Sequence, residues 1–232
     1  MRFAGLLKQS LTDYPGKIAA VLFSRGCNLR CPFCHNAHLL VKPGRKAMAG
    51  EIGTMELMPF LEERRGFLDA VVFSGGEPTI NPELPQVISQ VKESGYLVKL
   101  DTNGTNPLML EQLLQQKLLD YVAMDIKAPL VYEKYLQASG RLTFEDFFNI
   151  RSSINLLKTA TITVEFRTTV VPVWHSPEDL VEIARYIKGA GLYSLQQFNP
   201  KTTLDPELSR VKPYSKTELD EIAIRCQPYI QK

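Results

Sequence analysis

Residues 26–36 read GCNLRCPFCHN, and three of the chain's four cysteines, Cys27, Cys31 and Cys34, fall within eight consecutive positions there. Thiolates are soft, strongly donating ligands. Three on one short loop can occupy three corners of a cubane 4Fe–4S cluster, leaving one iron without a protein ligand. An iron with an open position can bind and activate a substrate, for the same reason that a catalytic zinc keeps one site open and a structural zinc does not. Two other readings stand beside this one. A structural Cys3His zinc site would draw on His35, which follows Cys34 directly and is poorly placed to turn back on the same ion; the alternative fourth ligand, Cys226, would need the C-terminal tail to close over the loop. The three thiols could also be inert. Cys226 itself lies in an amphipathic stretch, ELDEIAIRC, and reads as a packing residue.

Such a loop needs elements to hold it. Apolar, β-rich runs recur at 18–24 (IAAVLFS), 69–74 (DAVVFS), 97–102 (LVKLDT), 121–126 (YVAMDI), 162–171 (ITVEFRTTVV) and 192–198 (LYSLQQF). Helical patterns separate most of them: TMELMPFLEERRG, PELPQVISQVKESG, NPLMLEQLLQQK, TFEDFFNIRSSINLLK and SPEDLVEIARYIKGAG. The runs are nearly continuous rather than alternating, as expected of parallel strands buried on both faces. Six strand–helix units predict an α/β fold, either a (β/α) barrel or an open doubly wound sheet. In both, ligands gather at the carboxyl ends of the strands. The polar residues of this chain gather there too: the cysteine loop after the first strand, SGGEPT after the second, DTNGT after the third, DIK after the fourth and QFN after the sixth. A single domain over 1–204 with a C-terminal tail over 205–232, carrying a short helix packed on the barrel, is the expected organisation.

Composition narrows the function classes. With 44% hydrophobic residues over 232 positions the chain can bury a sizeable core without disulfide staples. Clustered cysteines and an N-terminus without a long apolar run predict a cytoplasmic protein with reduced thiols. No apolar stretch approaches the roughly 18 residues of a membrane span. Net charge is +2, from 27 basic and 25 acidic residues, so nothing in bulk electrostatics favours nucleic acid or an anionic membrane. The local basic run KPGRK, 42–46, reads as a solvated turn.

C-x3-C-x2-C with Phe33 before the third cysteine, followed by GGEP after the second strand, resembles the radical S-adenosylmethionine (SAM) superfamily. With SLTDYPGKIAAVLFS, VKLDTNGT, VAMDIKAP and EFRTTVVP, the chain is similar over nearly its whole length to activating proteins of anaerobic ribonucleoside-triphosphate reductase, relatives of pyruvate formate-lyase activating enzyme. The resemblance implies a partial (β/α)6 TIM-like barrel of the radical SAM type, with a lateral opening for a macromolecular loop. It also implies a 4Fe–4S cluster on Cys27, Cys31 and Cys34, and SAM bound at its open iron. Reductive cleavage of SAM would give a 5′-deoxyadenosyl radical, which abstracts hydrogen from a glycine of a glycyl radical enzyme. A low-potential donor such as flavodoxin or ferredoxin would supply the electron.

Residue roles follow from the same resemblance. Phe33 would lie against adenine, and His35 and Asn36 would bind cofactor beside the cluster. Gly75 and Gly76 would let backbone approach the methionine end of SAM, with their carbonyls accepting from its ammonium, so that Gly76→Val nearly abolishes SAM cleavage while sparing the cluster. Glu77 would brace that turn or meet the same amine. Asp101, Thr102 and Asn103 would hold SAM's ribose or carboxylate, or a monovalent cation. Asp125 and Lys127, two apart and so on one side of a strand, would touch SAM or hold the reacting glycine, or else pair with each other. Arg167 would meet the SAM carboxylate or Asp125. Asn199 stands where the pyruvate formate-lyase relative carries a SAM-binding histidine. His38 and His175 read as surface or loop residues, and Trp174 as core or rim. A radical SAM enzyme acting on a small molecule or nucleobase, and a non-catalytic metal scaffold, are the competing functions. The single spare cysteine leaves no second cluster set.

Overall fold

The computed structural model describes residues 1–40 and 51–231, so the basic run at 42–46 lies outside the described residues. From the N-terminus come β1 (Arg2–Ser10), β2 (Ala19–Ser24), β3 (Ile52–Gly53), α1 (Thr54–Glu63), β4 (Ala70–Gly75), α2 (Leu84–Glu93), β5 (Leu97–Thr102) and α3 (Pro107–Gln115). They are followed by β6 (Tyr121–Asp125), α4 (Tyr132–Ser139), α5 (Phe144–Lys158), β7 (Thr163–Val170), α6 (Pro177–Tyr186), β8 (Leu192–Gln197) and α7 (Lys216–Cys226). The strands make one sheet in the order β3-β1-β2-β4-β5-β6-β7-β8. β2, β4 and β5 pair in parallel, as do β7 and β8, while β1 is antiparallel to both β2 and β3.

The class is α/β with a mostly parallel sheet, as expected. The six expected strands are β2, β4, β5, β6, β7 and β8. Sequence reading missed β1, β3 and α4. In β1 only Phe3 and Ser10 are buried and Leu7 is 43% exposed, so RFAGLLKQS shows neither strict alternation nor a continuous apolar run. α4 has eight residues, too few for helical periodicity to stand out.

The described residues group into two compact units. One draws on Met1–Cys27, His38–Thr102 and Leu108–Val122; the other draws on Asn28–Ala37, Asn103–Pro107 and Ala123–Lys232. The first is built on buried runs, with Ala19–Leu22 and Ala70–Phe73 fully enclosed. α2 lies against β5 and buries Leu84, Val87, Ile88 and Val91, the i, i+3, i+4, i+7 stripe its sequence shows. Tyr14, from the SLTDYPG segment, packs edge-on against Tyr121 at 5.4 Å.

In the second unit three helices start on the caps their sequences announce. Thr143, Ser176 and Ser215 each accept from the amide three residues on, and Asp146, Asp179 and Glu218 reach back to the cap amide. α7 lies against α6, with Arg225 paired to Glu178 at 2.9 Å and the buried Cys226 Sγ 3.6 Å from the Leu180 carbonyl. Cys226 is thus a packing residue, as expected. Among the described residues no helix is long and apolar enough to cross a membrane.

Candidate functional site

In the first unit, the carboxyl ends of β2, β4 and β5 are tied into one another. The Gly76 amide donates to the Ser24 carbonyl (2.9 Å) and the Glu77 amide to the Gly26 carbonyl (2.8 Å), stitching SGGE onto the backbone that enters the cysteine loop. A Cβ on Gly76 would sit 1.8 Å from the Gly26 carbonyl oxygen, and one on Gly75, whose φ is +106°, would sit 2.5 Å from the Ser24 amide. Both glycines are therefore required by chain-to-chain approach. This corrects the expectation that Gly76→Val spares the cluster, because the clash falls on the residue before Cys27.

Glu77 braces this turn. It is 1% exposed, and its Oε1 accepts from the Thr79 amide (3.1 Å), the Thr79 hydroxyl (2.6 Å) and the Thr102 hydroxyl (2.8 Å). That contact also gives Thr102 its role in the structure, linking the end of β5 to the GGE turn. Asp101 is held by two residues the sequence reading did not select: Lys99 Nζ reaches Oδ1 at 2.8 Å and the Ser74 hydroxyl donates to Oδ2 at 2.9 Å. Lys99 is a buried lysine lying 5.4 Å from the Tyr121 ring centroid, so its charge is balanced by Asp101 and shielded by aromatic surface.

In the second unit the rest of the cysteine loop is fastened at several points. The Arg30 amide donates to the Ser139 carbonyl (2.9 Å) and the Asp205 amide to the Pro32 carbonyl (2.9 Å). Gly140 ends α4 in the left-handed region, φ +66°, and a Cβ there would lie 2.1 Å from the Arg30 carbonyl oxygen. Asn28 was also missed. It accepts from Asn103 Nδ2 (2.9 Å) and donates to the Thr105 hydroxyl (2.8 Å), while Asn103 Oδ1 takes the Thr105 amide (3.0 Å). DTNGT thus shapes the loop through side-chain amides, a pairing that no periodicity reveals.

Phe33 is buried, its ring centroid 5.9 Å from that of Trp174, with Lys127 Nζ 5.9 Å over the same ring. Trp174 is accordingly rim packing rather than an open platform. His35 and Asn36 are half-buried. Asn199 is exposed and closes a local turn by accepting from the Lys201 amide at 3.0 Å; it is not drawn in among the other candidates.

Asp125, Lys127 and Arg167 form one chain of charge: Lys127 Nζ to Asp125 Oδ2 at 2.9 Å and Arg167 Nε to Asp125 Oδ1 at 2.9 Å. Burial works to raise the Asp125 pKa, but the Arg167 and Lys127 charges overcome it and hold the carboxyl at about 2. For Lys127 burial works the other way, and Asp125 keeps it protonated with a raised pKa. The internal ion pair is present in the structure, and Asp125 still leaves 27% of its side chain accessible.

His175 corrects the surface reading: it is fully buried, accepting from the Val171 amide at Nδ1 (2.9 Å) with Nε2 2.8 Å from the Lys127 carbonyl oxygen. Burial lowers its pKa below the usual 6.5. The unfolded chain therefore binds a proton, on acidification, that the folded ring refuses. Stability from this residue is complete above about pH 6.5 and declines as pH falls from there toward the folded pKa. The slope is at most about 1.4 kcal/mol per pH unit. His175→Gln should remove that slope, with Asp125 contributing a separate loss only below its ordinary 3.8. Denaturant unfolding of both proteins between pH 8 and 5 measures it; equal slopes would refute the assignment.

Three thiols are the donor chemistry that a 4Fe–4S cluster takes, while among the described residues no three His, Cys, Asp or Glu side chains stand grouped as a preformed metal site. Cys27, Cys31 and Cys34 form no disulfide, and the Cys34 amide donates to the Cys31 carbonyl at 3.0 Å, turning the loop between them. Burial pushes the Cys31 thiol up to about 11, with Lys127 opposing, so a nearby metal is what would release it as thiolate.

The radical SAM superfamily model matches residues 21–187. A Methanocaldococcus jannaschii protein provisionally named a glycyl-radical enzyme activating enzyme is 38% identical over 98% of this chain and 92% of its own length. The pyruvate formate-lyase-activating enzyme of Clostridium pasteurianum is 30% identical over 94% of this chain and 87% of its own. Among solved structures, Streptococcus suis SuiB bound to S-adenosylmethionine superposes with TM-score 0.68 at 16% identity, over 90% of this chain and 46% of that one. A radical SAM methyltransferase from Sphaerobacter thermophilus gives TM-score 0.66 at 15% identity, over 93% and 65%. At such identities the two structures bear on fold, and they match the α/β partial-barrel class that the resemblance to the radical SAM superfamily implied. With the motifs in order at the strand ends, the donor set intact and the family model spanning most of the sequence, the chain belongs to the radical SAM superfamily and, within it, to the family of glycyl-radical enzyme activating enzymes.

Proposed function

We propose that this protein activates an anaerobic ribonucleoside-triphosphate reductase by installing a glycyl radical on it. The observation that carries the activating role is the 38% identity spread over 98% of the chain, which includes every strand-end motif. The ribonucleotide reductase as partner rests on the residues quoted above, SLTDYPGK, VAMDIKAP and EFRTTVVP. When bound, the 4Fe–4S cluster and SAM together supply a 5′-deoxyadenosyl radical able to abstract hydrogen from a glycine.

The remaining work falls to the chain's own side chains. Cys27, Cys31 and Cys34 hold the cluster, on a loop fixed by Gly140, Asn28 and Asn103. The GGE turn and the end of β5 carry the residues assigned to SAM, with Glu77 and Lys99 keeping Gly75, Gly76 and Asp101 in place. Asp125, Lys127 and Arg167 offer SAM or the inserted peptide a fixed pattern of charge that needs no reorganisation when ligand arrives. Placement matters because small errors in the position of reacting atoms are costly in rate. A flavodoxin or ferredoxin serves as electron donor in this reading, and the Asp101, Thr102 and Asn103 end of β5 is the candidate for a monovalent cation.

Mixing the reduced, cluster-loaded protein with SAM and an anaerobic ribonucleotide reductase should give the doublet electron paramagnetic resonance signal of a glycyl radical. With the partner's glycines deuterated at Cα, deuterium should appear in 5′-deoxyadenosine. If no glycyl radical enzyme donates it while a small metabolite or nucleobase does, the activating role is wrong; if pyruvate formate-lyase donates and the reductase does not, only the partner is.

A further inference from the structure

Of the chain's three histidines only His175 is buried, and no part of the site described so far uses it. It sits in VPVWHS, the connection from β7 to α6, where the His175 amide turns back to the Val171 carbonyl at 2.9 Å. The same turn brings the ring onto the Val171 amide. An amide can only donate, so Nδ1 is the unprotonated nitrogen, and the proton on Nε2 is donated to the Lys127 carbonyl oxygen at 2.8 Å. On the other side of that residue, the Lys127 amide donates to the Tyr135 hydroxyl of α4 at 3.2 Å. Tyr135 is itself fully buried. Lys127 lies just beyond β6, so its amide and carbonyl, which a longer strand would hand to a neighbour, are both taken by buried side chains. A third contact steadies the clamp: the Tyr214 hydroxyl donates to the His175 carbonyl at 3.0 Å.

We propose that His175 is a positioning residue which, with Tyr135, fixes the Lys127 backbone and through it the Lys127–Asp125–Arg167 charge chain. The inference rests on the assignment of Lys127 and Asp125 to ligand or substrate made under Proposed function. A histidine suits the task because one rigid ring accepts at one nitrogen and donates at the other. The lowered pKa agrees with this, since a protonated ring would lose the Val171 bond. Asparagine can reproduce the Nδ1 position and glutamine the Nε2 position, so the two substitutions separate a clamp on Lys127 from a brace within the Val171–His175 turn.

The experiment uses His175→Gln, His175→Asn and Lys127→Met in anaerobically reconstituted protein with the cluster oxidised, so that no turnover occurs. Equilibrium binding of labelled SAM and amide hydrogen exchange over residues 126–128 are both measured. The Gln variant should keep slow exchange and near wild-type affinity. The Asn variant should exchange faster at 126–128 and bind SAM about tenfold more weakly, the scale of one buried hydrogen bond left unmade. Lys127→Met should weaken SAM at least as much. Equal exchange in the Asn and Gln variants overturns the clamp, and so does unchanged SAM affinity in the Asn variant when Lys127→Met loses it. If Lys127→Met leaves affinity intact while the exchange difference holds, the positioning stands and the role given to Lys127 falls instead.

Discussion

Reconstituted with iron and sulfide without oxygen, the Cys31→Ala protein is expected to hold no 4Fe–4S cluster and to cleave no SAM, while Cys226→Ala keeps both. Cys31 is the buried member of the three-cysteine loop, between the half-buried Cys27 and Cys34, and its removal leaves two thiolates for a cluster that needs three. Lys127 faces it, so the Ala variant also leaves a buried cationic neighbourhood without the charge a thiolate would bring. Cys226 is buried too, but it belongs to α7, packs on Leu180 and stands far along the chain from the three-cysteine loop. Its truncation costs local packing alone. Iron and sulfide content, absorption spectra and 5′-deoxyadenosine production on the three proteins test this. Loss of the cluster in Cys226→Ala would show that the tail supplies a ligand, and a stoichiometric tetrahedral zinc in the wild type purified without oxygen would replace the cluster altogether.

Gly76→Val should abolish SAM cleavage and reduce cluster content with it. The glycine's missing Cβ is where the Gly26 carbonyl oxygen passes, 1.8 Å from the position a side chain would take. Backbone cannot rotate aside as a flexible side chain can. The Glu77 amide is bonded to that same carbonyl at 2.8 Å, so relief of the clash pulls apart the Glu77–Thr79–Thr102 brace as well. A cost of about 3 kcal/mol or more is expected, the upper end for overpacking, since no neighbour can give way. Thermal unfolding, cluster content and SAM binding should all fall together. Full cluster content with SAM binding alone lost would restore the idea that Gly76 serves ligand approach only, and no change in any of them would mean the turn tolerates a side chain.

The chemistry of this protein was written locally. Three cysteines on one loop, GGE after a buried run, and DTNG and DIK at later strand ends are short patterns fixed by neighbouring residues, and continuous apolar runs alternating with amphipathic stretches announce β2, β4, β5, β6, β7 and β8 with the helices between. Thr143 and Ser176, which open two of the helical patterns, mark helix starts for the same reason: the bond each cap makes spans three positions. What the sequence could not convey is who holds these residues in place. Asn28 meets Asn103 across 75 positions, Ser74 meets Asp101 across 27, and His175 meets Lys127 across 48. Such contacts have no periodicity, and a histidine between Val, Trp, Ser and Pro reads as loop until the turn at Val171 swings it inward. The glycine pair shows the division most sharply: its place beside the cysteine loop was legible, but the carbonyl it must accommodate comes from Gly26, fifty residues earlier, and only the parallel pairing of β2 with β4 brings the two backbones together.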